Sequence, residues 1–121
     1  MKDEITIDGV VYVPKTQLAS DESGMRAVLI RSYAAGVHFG LLKSEKFTES
    51  GKVVVLASTR RVWYWDGAAS LSQISKDGVA NPQKCKFSVI LEENEIVNVI
   101  ETIPLTEKAF YNLKNVPVWK I

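Results

Sequence analysis

Six consecutive residues, Arg60-Arg61-Val62-Trp63-Tyr64-Trp65, hold two cations and three of the chain's eleven aromatic side chains (three Trp, four Tyr, four Phe). If this stretch is extended, Arg61, Trp63 and Trp65 share one face, and Arg60, Val62 and Tyr64 share the other. One face then presents a guanidinium beside two indoles. A guanidinium fork matches phosphate oxygens at two points. Aromatic rings stack on nucleobases, worth about 1–3 kcal/mol per base. The next residues, Asp66-Gly67-Ala68-Ala69-Ser70, read as a helix start with Asp66 as N-cap, whose free amides and positive dipole end suit an anion. Ser70, Ser72 and Gln73 add hydrogen-bond donors. Phosphate and base contacts therefore fall within fourteen residues, the needs of a nucleotide site.

The same stretch also reads as core. Two indoles on one strand face pack well inward, with Arg61 lying over Trp63 as a cation–π partner. Ala68 and Ala69 then serve close helix–sheet packing. A subunit interface is a third reading, because aromatics and arginine are enriched at interface hot spots. Lys84 and Lys86 are second-choice phosphate contacts, and Tyr33 and His38 are outlying candidates.

Catalytic sets are thin. His38 is the single histidine and Cys85 the single cysteine. His38 beside Phe39 suits a packed strand residue better than a general base. Cys85 between Lys84 and Lys86 could have a lowered pKa, although a half-buried loop cysteine is the plainer reading. Glu92-Glu93 falls in an expected turn, where solvation accounts for it. Neither a phosphate-binding loop nor metal-ligand spacing is present. No catalytic residue, metal or cofactor is assigned.

The elements around these residues follow from periodicity and turn chemistry. "EITIDGVVYVP" alternates around Asp8-Gly9, a two-residue hairpin turn, and Pro14 ends the second strand. "QLASDESG" (17–24) reads as a linker, so residues 1–24 form a hairpin and linker, and 25–121 a single ligand-binding domain. "RAVLIRSY" (26–33) is apolar on both faces. Gly36 and Gly40 mark a bend or a close backbone approach. "KVVVLASTRRVWYW" exceeds one flat strand and calls for a kink near Ser58-Thr59. A short helix over 67–78 closes at Gly78. "FSVIL" (87–91) and "EIVNVIETI" (95–103) read as strands joined by a Glu92-Glu93-Asn94 turn. A second helix starts at Thr106, with Ala109, Phe110 and Leu113 inward. Trp119 is the only large anchor of the tail. The fold class is α+β, a small, antiparallel, strongly curved sheet or partial barrel with two short helices.

At 46% hydrophobic and 24% charged residues the chain is no disordered segment. A net charge of +1 excludes strong bulk attraction to long nucleic acid or a membrane surface. The acidic start is not a signal peptide, and the longest apolar run, 53–57, is too short for a span. A soluble intracellular protein is expected.

"RSYAAGVHFG" (31–40), "RRVWYWDGAASLSQISKDGV" (60–79) and "EIVNVIETIPLTEKA" (95–109), with their spacing, resemble a family of small phage proteins over roughly residues 26–120. That family looks like the phage anti-CBASS sponges, which sequester cyclic oligonucleotide signals of bacterial immunity. The resemblance implies a homodimer or homotetramer in the cytoplasm of an infected bacterial host. It would bind 3′,3′-cGAMP or a related cyclic dinucleotide without cleaving it. A C₂ interface suits a two-fold ligand, since it presents each group twice. The alternatives are a sponge for a cyclic ADP-ribose-type signal, a module that inhibits a host protein, and, least supported, a small nucleotide hydrolase.

Overall fold

The computed structural model describes Ile5–Ile7, Val10–Tyr12 and residues 18–120 apart from residue 22. β1 (Ile5–Ile7) and β2 (Val10–Tyr12) pair antiparallel, with Ile7 opposite Val10. The expected Asp8-Gly9 turn and Pro14 stop lie outside the described residues. The linker read from the sequence is partly tied to the body. Leu18 bridges Thr106, Ala19 N–H donates to Leu105 O at 2.9 Å, and Ala19 is buried.

The body is an antiparallel sheet of β3 (Ala27–Ser32), β4 (Gly36–Thr48), β5 (Gly51–Tyr64), β6 (Lys86–Phe87) and β7 (Leu91–Pro104), with helices α1 (Leu71–Asp77) and α2 (Glu107–Lys114). β3 pairs with β4, β4 with β5, β5 with β7, and β7 with β3, so the pairings return on themselves. Such a circuit demands strong curvature, and the curvature divides the core. Val28, Ile30, Val54, Leu56, Ile96 and Val99 form one buried cluster. Leu29, Phe39, Val62 and Phe87 join Ile74 of α1 and Ala109 and Leu113 of α2 in another. β3 is apolar on both faces because it feeds both clusters. Each fully buried side chain of this size contributes about 1.5–3 kcal/mol.

The bends sit where the backbone can take them. Phe39 faces Arg60 and Leu41 faces Ala57, so β5 carries one extra residue opposite Gly40. Ser58 takes φ 48° there, and Thr59 Oγ1 donates to Phe39 O at 2.8 Å. A Cβ on Gly40 would stand 2.9 Å from both Ala57 O and Thr59 Cβ. The kink near Ser58-Thr59 and the close approach at Gly40 are thus the same feature.

One expectation is overturned. β7 runs unbroken through Glu92-Glu93-Asn94, with Glu93 pairing with Ala57 and Asn94 with Leu56 of β5 rather than turning. The ladder to β5 outweighs local turn preference, and the acidic side chains stay exposed, with Glu93 bound by Lys43 at 2.6 Å. The bend comes instead at Asn98, φ 53°, where β7 carries an extra residue against β5. Of the expected 87–91 strand, Phe87 closes β6 and Leu91 opens β7, while 88–90 form a loop.

α2 starts as expected. Thr106 Oγ1 accepts from Ala109 N–H at 3.1 Å and donates to Lys76 O at 2.7 Å, tying α2 to the end of α1. Thr106→Ala should cost about 1–2 kcal/mol, read as a lower urea midpoint with an unchanged slope. Among the described residues no helix is long and apolar enough to cross a membrane.

Candidate functional site: the Arg61–Trp63 cleft

The two neighbouring arginines part company. The register places Arg60 beside Phe39, on the helix-covered face, and Arg61 beside His38, on the opposite face. Arg60 is 2% exposed, with its guanidinium 5.3 Å from the Phe87 ring centre. Its Nε donates to Ser88 O at 2.7 Å. Its Nη1 donates to Leu113 O, Lys114 O and Val116 O at 3.1, 3.3 and 2.7 Å. These are carbonyls at and just beyond the end of α2, which a cation stabilises. Arg60 is therefore a staple for α2 and not an exposed phosphate contact. Burial lowers its pKa, although an arginine keeps its proton.

Arg61 is exposed, and among the described residues its side chain makes no hydrogen bond or ion pair. Its backbone is clamped: its N–H donates to Ser88 Oγ at 2.8 Å and its C=O accepts from Ser88 N–H at 2.9 Å. The guanidinium thus starts from a fixed base. Arg61, Trp63, His38, Thr59 and Asn94 help to line a cleft of ≈ 350 Å³.

His38 is 1% exposed, and its Nε2 lies 2.9 Å from Ala35 O. A carbonyl can only accept, so Nε2 carries the proton. Burial is the main cause holding the ring's pKa below its ordinary value, with the Arg61 charge adding to it. A group depressed on folding binds its proton more readily in the unfolded chain. Stability should then be full above the ordinary imidazole pKa of about 6.5 and fall as pH drops through it toward the folded value. Denaturant unfolding from pH 8 to pH 5 checks this, and His38→Gln should flatten that slope.

The strict alternation expected after Arg61 fails at a bulge. Val62 pairs with Phe87 and Tyr64 with Lys86, so Trp63 is the extra residue. Trp63 and Tyr64 both face solvent, 52% and 48% exposed. Trp65 turns inward against the helix cluster, its Nε1 donating to Ala68 O at 3.2 Å. Trp63 meets Trp119 edge-on at 5.6 Å, and the Lys86 ammonium lies 5.2 Å from the Trp119 ring and 6.0 Å from the Tyr64 ring. Trp119 is the contact that the sequence reading missed as a site residue. The tail brings it there by a parallel bridge, Val118 to Phe87, and a Trp119 N–H···O=C Phe87 bond of 2.9 Å.

The helix-start half of the motif spends two of its amides on its own side chains. α1 begins at Leu71, with Ser70 as N-cap rather than Asp66. Ser70 Oγ accepts from Gln73 N–H at 3.2 Å, and Gln73 Oε1 accepts from Ala69 N–H at 2.8 Å. Those donors are used within the turn. Asp66 instead accepts from Asn81 Nδ2 at 2.6 Å. Ser72 is exposed on α1, Lys84 lies in a 3₁₀ turn (Pro82–Lys84), and Tyr33 is 84% exposed in the β3–β4 turn; none of them lines the cleft. Cys85 is buried, accepts from Asp66 N–H at 3.3 Å, and has its pKa raised by burial, opposite to an activated thiolate. No group of three metal-ligating side chains occurs among the described residues.

The structure thus gathers Arg61, Trp63 and His38 at one cleft, flanked by Tyr64, Lys86 and Trp119. Residues 25–113, more than half of the chain, match the profile of a domain of unknown function (DUF6948). The chain belongs to the DUF6948 family. Neither a curated protein nor a solved structure matches it. The DUF6948 match spans β3 to β7 and nearly all of α2. It contains the whole cleft lining and leaves out the β1–β2 hairpin and Trp119.

Proposed function

We propose that this protein binds a cyclic dinucleotide such as 3′,3′-cGAMP and sequesters it intact, as a phage immune-evasion sponge acting in the cytoplasm of an infected bacterial host. The observation that carries the reading is Arg61, a cation unpaired among the described residues, on a clamped backbone beside the half-exposed Trp63 at the edge of a cleft. The guanidinium would take a phosphate and the indole a purine face. Lys86, beside Tyr64 and Trp119, would take a second phosphate edge. The cleft volume, ≈ 350 Å³, is at the small end of ligand sites. One copy then holds half of a two-fold ligand, and a second copy related by two-fold symmetry supplies the other half. His38, buried with its Nε2 proton given to Ala35 O, is placed to shape the cleft rather than to move protons, which favours binding without cleavage.

Native mass spectrometry of the full chain with added 3′,3′-cGAMP tests the proposal. The expected result is an even-numbered assembly with one nucleotide per pair of copies, released unchanged on heating. Absence of retention at micromolar protein rejects this ligand, and a cyclic ADP-ribose-type panel then separates the neighbouring sponge class. A protein-binding module is the second reading, favoured by the exposed Val89, Ile90 and Leu91 beside the cleft. It gains if nucleotides fail and Leu91→Asp abolishes capture of a host protein.

A further inference from the structure

A second cleft, ≈ 690 Å³, lies on the other face of β5. The half-buried Phe110 gives it an apolar floor, backed by the buried Phe39 and Leu41, and Ile90, Tyr111 and Lys114 line it as exposed side chains. Arg60 lines it too. Cross-strand pairing puts Arg60 beside Phe39, and Arg60 borders both this cleft and that of Arg61. Arg60 is the largest fully buried side chain, and among the described residues it has no carboxylate partner. Its Nη2 is the one buried side-chain nitrogen or oxygen among them without a hydrogen bond. The α2 carbonyls compensate the guanidinium only in part, because they are dipoles rather than a charge. A buried cation with a spare N–H edge is costly unless an acceptor reaches it. The Lys114 ammonium, 5.1 Å from the Phe110 ring and 5.9 Å from the Tyr111 ring, adds a second positive charge at the same end.

We infer that this cleft is a separate binding site for a small aromatic monocarboxylate, its carboxylate at Arg60 and Lys114 and its ring against Phe110. The exposed Ile90, Tyr111 and Lys114 can change rotamer to admit the carboxylate to Nη2. The far end is acidic. Glu107 lies seven residues before Lys114 on α2, about 10 Å away at the helical rise, and Asp21 lines the same cleft. Asp21 is held ionised by donors from Ser23 and Met25. A second negative charge on the ligand would meet these carboxylates, so the site selects a monoanion.

The test titrates 2-naphthoate into the full chain and follows NMR shifts of Ile90, Phe110 and Tyr111. Binding should be at least about tenfold tighter than for neutral 2-naphthylmethanol or for naphthalene-2,6-dicarboxylate. Ile90→Trp, which fills the cleft from an exposed position, should weaken naphthoate about tenfold or more without changing cyclic dinucleotide retention. Lys114→Gln should weaken it several-fold. Arg61→Ala should leave it unchanged, so failure of the nucleotide proposal and failure of this one are told apart. No shift at these three residues at roughly 10 mM naphthoate, equal binding of the neutral alcohol, or shifts at His38 and Trp63 instead would each overturn it.

Discussion

Arg60→Met should lower unfolding stability by about 3–5 kcal/mol, while Arg61→Ala, one residue away, should leave it within about 0.5 kcal/mol. The contrast follows from what each side chain touches. Arg60 supplies four short donor contacts to Ser88, Leu113, Lys114 and Val116 carbonyls. Methionine fills much of the space but offers no donor, so those acceptors lose a charge-assisted partner in a place water reaches poorly. α2 should loosen first, because three of the four acceptors belong to its end. Arg61 is exposed and unpaired among the described residues, so its removal costs the fold little. The same Arg61→Ala change should weaken 3′,3′-cGAMP about 10–100-fold, the loss of a charge-assisted phosphate contact. Urea unfolding and ligand titration on the two variants separate staple from ligand contact. An Arg60→Met protein as stable as the parent would remove the staple argument. Normal nucleotide binding by a folded Arg61→Ala protein would remove Arg61 from the site.

Gly67→Ala should cost about 3 kcal/mol or more, although it adds one methyl group. Gly67 has φ 95°, a conformation that side chains strain to adopt. A Cβ there would stand 2.5 Å from Ala80 N, 2.7 Å from Asn81 N and 2.8 Å from Ala80 Cα. All three are backbone atoms of the loop before the 3₁₀ turn, which Asp66 O and Gly67 O already bind through Asn81 N–H and Ala80 N–H. Relief would need one segment to move and both bonds to lengthen. Thermal unfolding reads the effect, and a melting temperature near that of the parent would show that the 66–81 crossing yields easily. A large loss places the small residues after Trp65 in chain packing, as the Ala69 and Gln73 amides already bound within the turn also indicate.

The Arg-aromatic motif, residues 60–73, was half legible in the sequence. Its residue types showed that a cation and an indole would stand together, and Arg61 and Trp63 do line one cleft. Alternation could not show that a bulge at Trp63 would leave Tyr64 facing solvent and turn Trp65 inward. A bulge depends on what the neighbouring strand offers, and here that strand is only Lys86–Phe87. Trp119 escaped notice as a site residue because its place beside Trp63 comes from a bridge between the tail and β6.

Local chemistry by itself determined the elements whose causes are local. These are the two-sided apolar β3, the kink at Gly40 and Ser58, the Thr106 cap of α2, the Gly78 stop of α1, and the antiparallel α+β class. Tertiary structure alone decided the rest. It ran β7 straight through Glu92-Glu93-Asn94, chose Ser70 over Asp66 as cap, and sent two adjacent arginines to opposite fates. Each of these outcomes depends on a partner distant in sequence: β5 for the acidic strand, Asn81 for Asp66, and the end of α2 for Arg60. A partner that is far along the chain leaves no periodic mark on the residues it will bind.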